Sequence, residues 1–137
     1  MFSRWIKFIF VLAFLLHTKC FTQELMPEHG PWTFLFQKDS VTAYFIWYAK
    51  ADNHNDGVVV KLVNQNNFKV DYKFDLIFLS DTLKHVIKVE GNLNPNETKT
   101  GSSQGLFWVP FKNGNSISDI GIHDFVVIPN PGNSQPQ

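Results

Sequence analysis

An all-β fold, an immunoglobulin-like sandwich of about seven antiparallel strands behind a signal peptide, is what this sequence predicts. Three observations carry that prediction. Residues 69–76 alternate strictly and the apolar side runs on to Phe78, with Val70, Tyr72, Phe74, Leu76 and Phe78 on one side and Lys69, Asp71, Lys73 and Asp75 on the other, a period of two that only an extended strand sorts onto separate faces. Clusters of Asn, Gly, Pro, Asp and Ser interrupt the apolar runs at roughly ten-residue spacing, the rhythm of short strands joined by turns. No stretch after residue 22 repeats its apolar residues at helical spacing.

The chain has 137 residues, 44 % of them apolar and 15 % aromatic, including 14 Phe. That is enough for one domain with a packed core and too little for two. Arg4 and Lys7 precede an apolar run over residues 8–16, the pattern of a secretory signal. The run is too short to cross a bilayer, which takes about 20 residues of helix. The expected organisation is a signal peptide at 1–22, a leader at 23–31, the sandwich at 32–128 and a disordered tail at 129–137. The expected localisation is therefore secreted or periplasmic. Cys20 is the one cysteine and is expected to leave with the signal peptide, since Lys19 suits a lipidation site poorly. Three of the 12 basic residues and none of the 12 acidic ones lie in residues 1–22, so the remainder carries a formal charge of about −3. A mildly acidic product lacks the electrostatic footprint for nucleic acid or an anionic membrane.

Taken in order, residues 24–31 hold two prolines and a glycine and read as a leader into the first strand, 32–38. Asp39-Ser40 turns the chain into a second strand at 41–49. This pair holds most of the aromatic residues, and its Phe34, Phe36, Tyr44, Phe45, Trp47 and Tyr48 must divide between two sides. After a polar loop at 51–56 come strands at 57–64 and 69–79, which read as one hairpin around Asn64-Gln65-Asn66-Asn67. Residues 83–90 form a fifth strand, expected at a sheet edge because Lys84, Lys88 and Glu90 share one side. Residues 91–101 read as the longest loop, 105–111 as a sixth strand whose end Pro110 places at an edge or bulge, and 120–128 as a seventh.

The signal segment, the Trp-led first strand, the strand Val60-Lys61-Leu62-Val63-Asn64, the loop Leu93-Asn94-Pro95-Asn96-Glu97 and the closing strand Ile122-His123-Asp124-Phe125-Val126-Val127 resemble a family of uncharacterised secreted proteins of Bacteroidota. The resemblance spans residues 32–128 and implies an extracytoplasmic location and an immunoglobulin-like fold. It transfers no activity and no functional residue.

Motifs that carry chemistry are sparse. Asp52-Asn53-His54-Asn55-Asp56-Gly57 imitates the start of a calcium loop, but the twelfth position is Val63 where a bidentate Glu belongs. A polar turn accounts for it, with a weak metal site at Asp52, His54 and Asp56 as the sharper reading. His123-Asp124 could orient a catalytic ring, yet neighbours on a strand point to opposite faces and are not expected to pair. No nucleophile elbow, zinc-protease helix or phosphate loop is present. The sequence thus nominates no catalytic residue, no cofactor and no metal ligand set, and it leaves the binding residues open. Asn96-Glu97-Thr98 is a formal glycosylation sequon, and Asp39-Ser40-Val41 and Asp81-Thr82-Leu83 are weaker acceptor patterns. The expected role is a non-enzymatic domain acting through protein contacts at the cell envelope. The alternative is a carbohydrate-binding module that stacks sugars on Trp47, Tyr48 or Trp108, should these face outward.

Overall fold

The computed structural model describes residues 31–132; the expected signal peptide, most of the leader and the end of the tail lie outside them. Eight strands follow one another: β1 (Thr33–Lys38), β2 (Val41–Tyr48), β3 (Gly57–Asn64), β4 (Val70–Leu79), β5 (Lys84–Leu93), β6 (Thr98–Thr100), β7 (Phe107–Trp108) and β8 (Asp119–Pro129). A single 3₁₀ turn at Ser102–Gln104 is the one helical element among the described residues. All pairings are antiparallel. One sheet runs β1-β2-β3-β6, with β7 also on β3, and the other runs β5-β4-β8. The chain crosses between sheets after β3, after β5 and after β7, and β8 returns to lie beside β4. This is the Greek-key order of an immunoglobulin-like sandwich.

The core forms where the inner sides of both sheets meet. Val41 and Ala43 of β2 and Val58, Val60 and Leu62 of β3 face Val70, Phe74, Leu76 and Phe78 of β4, all at most 2 % exposed. Phe125 and Val127 of β8 and Val89 and Leu93 of β5 complete it. Burying such side chains stabilises the fold by about 1.5–3 kcal/mol each, before the entropy of ordering them.

Three expectations need correction. Strands β3 and β4 are not a hairpin, because they lie in different sheets. Each has an apolar inner face that needs a facing layer, and a side-by-side pairing would leave both faces half uncovered. The crossover between them is pinned by Asn64, 1 % exposed. Its Nδ2 donates to the carbonyls of Phe68 at 3.0 Å and Asn94 at 2.9 Å, and its Oδ1 accepts from the Asn66 amide at 3.0 Å. Residues 91–101 are no long loop: β5 continues through Leu93, Asn94–Glu97 is a tight turn, and β6 supplies the eighth strand. The strand expected over 105–111 shrinks to Phe107–Trp108, ending just before the segment that contains Pro110, which has no amide to donate. The predicted edge position of β5 is observed.

Candidate functional site

The two sheets present opposite kinds of surface to solvent. On the five-stranded sheet, cross-strand partners share a side, and the register opposes Phe34 to Tyr44, Tyr44 to Lys61 and Val59 to Phe107. These residues lie on the outer side, since their neighbours Ala43, Val58, Val60 and Leu62 fill the core. Phe34 is 59 % and Tyr48 46 % exposed. Phe34 and Tyr44 meet edge to face, with ring centroids 6.2 Å apart and planes at 81°. Lys61 is the exception in an otherwise uncharged strand. Its Nζ sits 4.5 Å from the centre of the Trp32 ring and 4.8 Å from that of Tyr44, and the residue is 8 % exposed. Loss of solvation holds its pKa below the ordinary 10.5, while the two ring faces attract the cation.

The aromatic residues singled out from sequence do not form one platform. Tyr48 faces outward on this surface. Trp47 is 48 % exposed but occupies the other side of β2, at its end, beside Phe45, Ile117 and Ile120. Trp108 opposes the fully buried Val58 and packs against the core. Trp32, Phe34 and Tyr44 take their place, together with Lys61. The signal for this was present in β3: Val58-Val59-Val60 has no polar alternation, as expected of a strand whose outer side is also apolar.

The outer side of the three-stranded sheet is charged along its middle, with Val86, 45 % exposed, and Ile128, 53 % exposed, toward its two ends. Lys73 of β4 opposes Glu90 of β5, and Asp75 opposes Lys88 on one neighbour and His123 on the other. Here β8 carries a bulge. Between the pairs Lys73–Val126 and Asp75–His123, the single residue Phe74 faces both Asp124 and Phe125. Asp124 adopts φ of 50°, the left-handed conformation of a G1-type bulge, taken here by a residue other than glycine. The extra residue shifts the phase of the strand, so Ile120 and Ile122 point inward before it and Phe125 and Val127 after it. It also overturns the expectation that His123 and Asp124 cannot meet: His123 Nδ1 lies 3.1 Å from Asp124 Oδ2, with both side chains about two-thirds exposed (67 % and 72 %). Donor atoms of Asp75, His123 and Asp124 all fall within 4.8 Å of one another.

The calcium-like loop is closed by its own side chains. Asp52 Oδ1 accepts from the amides of His54 at 3.0 Å and Asn55 at 2.6 Å, and its Oδ2 accepts from the Asn55 side chain at 2.9 Å. Led by that side-chain bond, these donors lower its pKa to about 2. Asp56, 7 % exposed, accepts from the amides of Lys50 at 3.2 Å and Ile117 at 3.1 Å and so ties two loops together. The structure does not gather Asp52, His54 and Asp56 around one point. Asn96 of the sequon is exposed on its turn with φ of 56°.

No protein-family model, curated protein or solved structure matches this chain.

Proposed function

We propose that the chain is a secreted or periplasmic, non-catalytic binding domain that engages a protein partner through the outer side of its five-stranded sheet. The observation that carries this reading is an aromatic surface, Trp32, Phe34, Tyr44 and Tyr48, whose one charge is already covered by two rings. Exposed apolar surface of this kind is what protein interfaces bury at their centres, where aromatic residues dominate the energy and lone charges are costly. Export is supported by the basic start and apolar run of residues 1–22 and by the resemblance to secreted sandwich proteins. A sugar-binding module instead requires rings laid open for stacking, whereas Phe34 and Tyr44 cross at 81°.

The test is a photo-crosslinking residue placed at Tyr48, and separately at Lys88 on the opposite face, in the native cell. Discrete protein adducts at position 48 and none at 88 are expected. Equal adducts at both positions, or none at 48, refute the reading. Binding on a glycan array that is lost in Tyr48→Ala would replace it with the carbohydrate alternative.

A further inference from the structure

We infer that Asp75, His123 and Asp124 form a site for a divalent transition-metal ion, on the side of the molecule facing away from the aromatic surface. The donor set is mixed, two carboxylates and an imidazole, which suits zinc and its neighbours; calcium takes six to eight oxygens. Two strands deliver it. Asp75 stands on β4 and His123 directly across from it on β8, while the bulge brings Asp124 to the same side of the sheet. Ligand atoms within 4.8 Å of one another need only side-chain rotation to reach zinc bond lengths of about 2.0–2.2 Å.

Two further observations bear on the site. Among the described residues Asp75 has no hydrogen-bond or ion-pair partner, although Lys88 opposes it in register. Asp75 and Asp124 line a hollow of about 600 Å³, together with Glu90 and with Lys38, Lys73 and Lys88, whose charges balance the three carboxylates. Three protein donors beside an open hollow leave coordination positions for water or for a group from another molecule. The site does not depend on the protein-binding reading above.

Zinc alone, titrated into the protein by calorimetry, is the test. One equivalent is expected to bind with a dissociation constant in the micromolar range. Asp75→Asn and His123→Gln should each weaken binding at least tenfold, while Asp52→Asn leaves it unchanged. Amide resonances of residues 75, 123 and 124 should shift on addition of zinc, which tests placement without a variant. No saturable binding up to millimolar zinc overturns the inference, and so does a folded Asp75→Asn that binds as tightly as the parent. Calcium binding at the same concentration as zinc overturns the assignment to a transition metal.

Discussion

The outer sides of the two sheets are built by the same in-and-out pointing of side chains and end in different chemistry. On β4, each inward apolar residue is followed by an outward one that is often charged, so Lys73 is exposed and Asp71 and Asp75 are half-buried between buried neighbours. On β3, the outward positions are Gly57, Val59, Lys61 and Val63; Phe107 of β7 stands over Gly57 and opposes Val59, and the rings of Trp32, just before β1, and Tyr44 of β2 cover Lys61. One face tolerates solvent and the other partly excludes it. The difference teaches that a strand's inner pattern reports the core, while departures from polarity on its outer side report where the molecule has something else to meet.

The sharpest way to break this comparison is a matched pair of glycine substitutions. A Cβ on Gly57 would stand 2.6 Å from Ala51 Cβ and 2.9 Å from the Phe107 ring, so Gly57→Ala should cost about 1–3 kcal/mol in urea unfolding. Gly121 on β8 has nothing within 4 Å of its added Cβ, and Gly121→Ala should be neutral or stabilise by up to about 1 kcal/mol. Equal losses at both positions would mean the two faces are alike in packing.

Lys61→Met comes next in size. Burial favours the neutral amine in the folded protein, so between the lowered folded pKa and 10.5 the unfolded chain binds more protons. Stability of the parent should therefore rise as pH climbs toward 10.5, with the penalty fully present below the folded pKa. The methionine keeps the stem packed between Trp32 and Tyr44 and removes that rise, and at neutral pH the relieved desolvation and the lost ring–cation attraction should leave a net change within about 1 kcal/mol. Thermal melts of both proteins from pH 7 upward read this directly. Smallest of all, Lys73→Ser on the charged face should change stability by less than about 0.5 kcal/mol; a larger loss would show that the charged side is packed after all.

Much of the fold was legible because local polarity fixes strands and their inner sides. Val70 to Phe78 could be read as a strand residue by residue, and β3 matches its expected bounds. Pairing was legible where a tight turn joins two strands, as Asp39-Ser40 joins β1 to β2; elsewhere alternation shows which way a residue points and says nothing of which strand lies beside it. The expected β3–β4 hairpin failed for that reason: the role of Asn64 becomes visible only when the carbonyls of Phe68 and Asn94 are placed around it. The bulge did leave a trace. Ile120 and Ile122 occupy even positions and Phe125 and Val127 odd ones, and a phase change inside one apolar run implies an extra residue between them. The triad of Asp75, His123 and Asp124 was out of reach, because its members come together only through the order of strands in the sheet. The aromatic surface was half legible, as the excess of rings was plain and their sides were not.

Asn64 also bears on how the chain assembles. Strands β1 to β3 are sequence neighbours and can zip together quickly as local hairpins, but this side chain finds the Asn94 carbonyl only after β4 and β5 have been laid down. Closure of the two layers is thus a long-range event, subject to the slow search that distant contacts impose on β proteins. A contact made this late holds the finished layers shut, so weakening this one amide should mainly hasten their separation while leaving the early meander free to form.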